Sequence, residues 1–159
     1  MIKEMLQSRG LKDRKMLLEQ KQKVLFVCNH NSARSQMAEM LLNHLAGDRF
    51  TAMSAGLEPR DLNPLAVAVM REIGLDMSSN VPKSIVSLYK RGESFRYQIM
   101  LCDEEGSQCC PTYPGIIRQY TWCLDNPANA EGTDEDKLQA FRKVRDAIRL
   151  RIDEWIETA

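Results

Sequence analysis

A chain of 159 residues with 43% hydrophobic residues, 8 Gly and 6 Pro is long enough to bury a core and is expected to form one globular domain. Lys+Arg and Asp+Glu both number 22, and that cancellation argues against a protein that holds nucleic acid by its overall field; an anionic ligand must be bound by local donors. No apolar run reaches membrane-spanning length and the charged N-terminus has no secretory-signal pattern, so a cytoplasmic chain with no membrane partner is expected, whose 5 cysteines are buried, metal-binding or working thiols rather than structural disulfides.

Residues 1–22 read as a helical extension, polar and weakly amphipathic, interrupted at Gly10, and 23–159 as the domain proper. Lys23–Val27 is expected as a short buried strand, followed by a helix over Ser35–Ala46 that buries Met37, Met40, Leu41, Leu45 and Leu42. Phe50–Ser54 is the second predicted strand, closed by Ala55-Gly56. Asn63-Pro64 is a helix start, a capping residue followed by proline at the first helical position, and Leu65, Val69 and Ile73 supply the apolar face up to Gly74. A short helix over Ser84–Arg91, a strand over Tyr97–Leu101 and a strand over Arg118–Trp122 come next. Asp134–Glu157 closes the chain as a long helix capped by Thr133 or Asp134, with Leu138, Phe141, Val144, Ile148, Ile152 and Trp155 as its buried stripe. Strands alternating with helices predict an α/β single domain, a four-stranded parallel sheet with helices on both faces.

In such a sheet the ligand site lies at the carboxyl ends of strands. The segment Cys28-Asn29-His30-Asn31-Ser32-Ala33-Arg34-Ser35 sits there in the first strand–helix unit. Five residues between Cys28 and Arg34 suffice for a loop whose backbone N–H groups turn inward and, with the positive end of the following helix, cradle an anion. Arg34 adds a planar fork of donors suited to a tetrahedral oxyanion, and Ser35 can donate a hydroxyl hydrogen bond to the cysteine sulfur. A thiol in that setting is a nucleophile. The loop lacks the Gly-Lys-Ser/Thr ending of a nucleotide-binding loop, so the bound anion is expected to be attacked in place. Cys102 directly follows a predicted strand, and Cys109 and Cys110 lie seven and eight residues further on in a glycine-containing loop. Strand ends share one sheet edge, so Cys102 can approach Cys28 and a loop thiol can approach Cys102; that is a thiol relay. The competing readings are a zinc site built from Cys102, Cys109, Cys110 and a histidine or Cys123, whose spacing is not the paired pattern of zinc modules, and inert thiols.

The stretch from Val24 to Leu42 resembles the low-molecular-weight protein tyrosine phosphatase fold, and specifically its arsenate reductase branch, as do Ser54–Leu57, Asn63–Ser78 and Ala130–Ile148. The resemblance covers nearly everything from Lys23 onward. It implies that the loop from Asn29 to Arg34 binds an arsenate or phosphate oxyanion and that Cys28 attacks arsenate. Cys102 then forms a disulfide with Cys28 and releases arsenite. Cys110, matching the third redox cysteine that precedes a proline (Cys109 is its rival), moves the disulfide outward for thioredoxin or a similar dithiol protein. It implies no tightly bound cofactor, although some relatives place a potassium ion near the position of Asn31. Glu39 and Ser54 match two of that ion's neighbours, while Ser84 stands where those relatives carry an aspartate. His30 is expected on the loop rim, His44 on the surface and Cys123 in a structural role. One departure bears on mechanism. The family keeps an aspartate before a proline as general acid, and here Asn126 precedes Pro127, with Asp125 one residue away. An amide cannot serve as that acid. The loss weighs more on a phosphatase or small-molecule phosphatase reading than on arsenate reduction, and it leaves open a weak oxyanion-binding or redox-sensing module.

Overall fold

Apolar residues at alternate positions on both faces make Gln22–Cys28 a strand buried on both sides, and this strand, β1, is central in the sheet. A computed structural model describes residues 2, 7, 10, 20–103 and 111–159. The remaining elements are α1 (Arg34–Ala46), β2 (Phe50–Gly56), α2 (Pro64–Glu72), α3 (Ile85–Lys90), β3 (Tyr97–Cys102), β4 (Arg118–Cys123), a 3-10 turn at Pro127–Asn129 and α4 (Asp134–Thr158). The four strands are parallel in the order β2-β1-β3-β4. Each expected strand is present and extends one or two residues past its expected end. Most of the expected N-terminal helix falls outside the described residues, and β1 starts at Gln22.

The two faces are unequal. Val24, Phe26 and Cys28 face a large cluster with Met37, Leu41 and Leu42 of α1, Val69 and Met70 of α2, and Phe141, Val144, Ile148, Ile152 and Trp155 of α4. Leu25 and Val27 face a smaller cluster with Ile85 and Leu88 of α3, Phe95, Met100, Cys102 and Tyr113. This strict alternation follows from the pleat. Met40, Leu45 and Leu138, expected in the core, are only half-buried and pack against its rim. Asn63 caps α2 by accepting from Leu65 N at 2.9 Å, and Thr133 caps α4 in a reciprocal box with Asp136.

The chain leaves β1 through α1 to β2 on one side, then crosses to β3 on the other. The carboxyl end of β1 is therefore a topological switch point, where a crevice opens between diverging connections. Gly56 ends β2 opposite Cys28 in the register. A Cβ there would lie 2.8 Å from both the Asn29 carbonyl oxygen and the Asn31 nitrogen, so only glycine lets the loop after Cys28 lie against β2. Gly56→Ala is expected to cost about 1–3 kcal/mol of unfolding free energy through this backbone clash. Urea denaturation measures it, and an unchanged midpoint would show that the loop is not held by that contact.

Candidate active site

The loop between β1 and α1 is oriented by a neighbouring strap, the residues just after β2. Glu58 N donates to the Asn29 carbonyl at 2.9 Å, Arg60 N to the His30 carbonyl at 3.0 Å, and Asn63 N to the Ser32 carbonyl at 3.0 Å. With three carbonyls tied outward, the planar trans peptides turn the N–H groups of His30, Asn31 and Ala33 to the opposite side. The Asn31 N–H confirms the direction by donating to Cys28 Sγ at 3.2 Å. Behind the loop, α1 begins after Ala33 with no side-chain cap, so its first N–H groups face the same concavity. The peptide backbone thus presents a concave set of inward N–H groups between Cys28 and Arg34.

Asn31 carries the loop's internal order. It has φ +50°, a left-handed conformation that asparagine tolerates better than most residues, and it is fully buried. Its Oδ1 accepts from Gln36 Nε2 at 2.9 Å and from Lys83 N at 2.8 Å, and its Nδ2 donates to Ser35 Oγ at 2.8 Å. Ser35 Oγ also lies 2.8 Å from Cys28 Sγ, a hydrogen bond in which either atom can donate. The Asn31 N–H and the Ser35 hydroxyl thus both contact the sulfur.

Arg34 is buried at the rim, where one guanidinium nitrogen donates to the Leu124 carbonyl at 3.2 Å and pairs with Asp103. Sequence reasoning missed Asp103, because its role depends on β3 ending beside β1. It also missed Gln36, Lys83 and the strap from Leu57 to Asn63, of which only Asn63 gave a local signal, as a helix cap. His30 is half-exposed, with Nδ1 3.2 Å from the Glu58 carbonyl, on the loop's outer side. Asn29 is exposed, Ser32 half-buried and Ala33 buried. Asn126 spends its side-chain oxygen on the 3-10 turn, accepting from Ala128 N at 3.1 Å, and Asp125 beside it is exposed.

Cys28 and Cys102 end adjacent strands, yet on opposite faces, in the larger and smaller cluster respectively. Cys109 and Cys110 lie outside the described residues, although Pro111 next to them is anchored: its carbonyl accepts from Gln98 Nε2 at 3.1 Å. Among the described residues no group of three or more His, Cys, Asp or Glu side chains is placed to hold a metal ion. The neighbours of the potassium ion in some relatives are engaged within the protein. Glu39 accepts from Ser54 Oγ and lies 3.8 Å from Lys83 Nζ, Asn31 Oδ1 serves two protein donors, and Ser84 caps α3 by accepting from Ser87 N at 3.0 Å. An ammonium group already stands beside the one carboxylate, and this donor set is a poor fit to an added potassium ion.

Two predictions test this electrostatics. Burial holds the Glu39 carboxyl above its ordinary value of 4.5, with the Lys83 charge and the Ser54 hydrogen bond pulling it back. Its contribution to stability is full below that ordinary value and is lost as pH rises through the raised one. Glu39→Gln should therefore flatten the fall in unfolding free energy on going from pH 4 to neutrality; urea unfolding across that range that keeps the wild-type slope would contradict it. Asp103→Asn removes an anion that competes for Arg34, so calorimetry should show inorganic phosphate binding tighter by about 1 kcal/mol. Weaker binding would mean that the carboxylate instead holds the fork in place for the ligand.

Comparison with known proteins bears on the family and the fold. Residues 23–159 match the low molecular weight phosphotyrosine protein phosphatase family. The arsenate reductase of Halalkalibacterium halodurans is 40% identical over 139 residues, covering 87% of this chain and 97% of the relative. A solved arsenate reductase in its phosphate-binding state superposes with a TM-score of 0.70 at 31% identity, covering 86% of this chain and 98% of that one. A thioredoxin-dependent arsenate reductase of Corynebacterium glutamicum gives a TM-score of 0.64 at 30% identity, covering 87% of this chain and 61% of that one. With residues 23–159 matched and the fold shared with these relatives over nearly its whole length, the chain belongs to the low molecular weight phosphotyrosine protein phosphatase family.

Proposed function

We propose that this protein reduces arsenate to arsenite, with Cys28 as nucleophile and an internal disulfide relay recycled by thioredoxin or a similar dithiol protein. The observation that carries the reading is the second thiol: Cys102 ends β3, the strand paired with the one that Cys28 ends. A phosphatase needs the cradle and Cys28 alone. The names of the relatives, all arsenate reductases among those described above, support the same choice.

The steps follow from the groups in place. Arsenate enters the cradle, its oxygens held by the inward N–H groups of the loop and by the donors of Arg34 not engaged with Asp103. The Cys28 thiolate attacks arsenic and a hydroxyl leaves as water. The Cys102 thiolate then attacks the Cys28 sulfur. The sulfur–arsenic bond breaks with its electron pair going to arsenic, arsenite departs, and a Cys28–Cys102 disulfide remains. Because the two thiols start on opposite faces, the end of β3 must turn Cys102 over the sheet edge, and the strand ends there. Cys110 attacks Cys102 in turn, and the external dithiol returns two electrons.

Asn126 leaves the leaving group without the family's acid. Arsenate exchanges its hydroxyls readily and tolerates that loss, whereas a phosphate ester losing general-acid help slows by about 10²–10⁴-fold. Asp125 is the carboxyl that stands in for it in this reading. With arsenate, thioredoxin, its reductase and NADPH, wild-type protein should sustain NADPH consumption, and Cys28→Ser or Cys102→Ser should reduce it to background. Turnover unchanged by Cys102→Ser would refute the relay. Phosphatase turnover of an aryl phosphate that survives loss of Cys102, Cys109 and Cys110, with no arsenate turnover, would assign the chain to phosphate esters.

A further inference from the structure

Cys123 was expected to be structural, yet the sheet register places it directly beside Cys102. The two are partners at the carboxyl ends of β3 and β4, and the ladder continues past them through Leu124 N donating to the Cys102 carbonyl at 2.9 Å. The preceding pair, Leu101 and Trp122, lies in the larger core cluster, so Cys102 and Cys123 share the opposite face. Neighbouring strands run about 4.8 Å apart. That spacing falls inside the Cα separation of about 4.4–6.8 Å that a disulfide spans. Cys123 is half-exposed while Cys102 is buried, so the β4 sulfur is the one within reach of an external thiol.

The strand order adds a direction. Along the sheet edge the thiols run Cys28 on β1, Cys102 on β3 and Cys123 on β4, with Cys102 in the middle. Thiol–disulfide exchange needs the incoming sulfur on the far side of the attacked sulfur from the leaving one. With Cys102 in its register position Cys123 stands on the side away from β1, so a Cys102 that has turned to Cys28 must swing back toward β4 to be attacked.

We propose that Cys123 is a resolving thiol for Cys102, a step that rests on the arsenate reading given above. Cys123 loses its proton to water and attacks the Cys102 sulfur of the Cys28–Cys102 disulfide. The Cys102–Cys123 bond forms as the Cys28–Cys102 bond breaks, and Cys28 leaves as a thiolate into the two hydrogen bonds of its cradle. No oxidant is consumed, since the oxidising equivalents come from the arsenate already reduced. A dithiol protein then attacks Cys123 and returns two electrons. The chain thereby has a route to a reducible disulfide built wholly at the sheet edge.

Tryptic cleavage places Cys28, Cys102 and Cys123 on different peptides, spanning 24–34, 97–118 and 119–137. In the Cys109→Ser/Cys110→Ser variant the 97–118 peptide holds Cys102 as its one thiol. That variant, fully reduced, is given one equivalent of arsenate without reductant, quenched by alkylation and mapped by mass spectrometry, with arsenite measured in parallel. The expected result is arsenite, alkylated Cys28 and a disulfide joining 97–118 to 119–137. Adding Cys123→Ser should trap Cys28 joined to Cys102. Arsenite formed with Cys28 joined to Cys102 while Cys123 is still present overturns the inference and leaves the arsenate reading intact. Absence of arsenite and of any disulfide overturns both. If the double variant does not fold, the same map on wild-type protein decides, since a 119–137 peptide that never appears in a disulfide overturns the proposal.

Discussion

The site depends on where three carbonyls point. The hydrogen bonds from Glu58, Arg60 and Asn63 to Asn29, His30 and Ser32 turn the loop's carbonyls out and its N–H groups in. A backbone cradle of this kind needs no charged side chain at its base, and it costs nothing to reorganise when an oxyanion arrives. The strap can make these bonds only because Gly56 lets the loop approach β2, where any Cβ would meet backbone. Inside the loop, Asn31 takes over. Its one buried amide joins the loop to α1 through Gln36 and Ser35 and to the segment before α3 through Lys83. A residue so connected in a low-dielectric surrounding holds its neighbours in one arrangement, since each lost partner would leave a buried group unsatisfied.

The surroundings of the two thiols differ. Cys28 and its donors are packed against α1, while Cys102 stands at the end of a strand whose continuation carries Asp103 to Arg34. This ion pair links Arg34 to the residue after Cys102. Gln98 donates its amide to the Pro111 carbonyl and accepts from Tyr113 N. If the proposed relay operates, Cys102 must leave its register position to reach Cys28.

Much of the fold was legible in local patterns. Short apolar runs marked the strands, and Asn63-Pro64 and Thr133 marked two helix starts, because such runs and caps are properties of neighbouring residues. The Cys28–Ser35 motif was legible for the same reason: a strand, a short loop and a helix bring their own geometry. The half-burial of Met40, Leu45 and Leu138 was not, since how far a helix face is covered depends on what packs against it. The side chain of Asn126 proves committed to capping a turn, accepting from Ala128 N.

By itself the sequence determined that Cys28 and Arg34 share one strand–loop–helix unit, that Cys109 and Cys110 follow β3, and that an amide, Asn126, precedes Pro127. Only the tertiary structure decided which faces the thiols occupy, that Asp103 and Leu124 hold Arg34, that Lys83 stands beside Glu39, and that Cys123 is Cys102's register partner. The reason is physical. A motif encodes contacts within a few residues, but sheet register is set by pairing segments about twenty or more residues apart, and a shift of one residue turns every side chain to the other face.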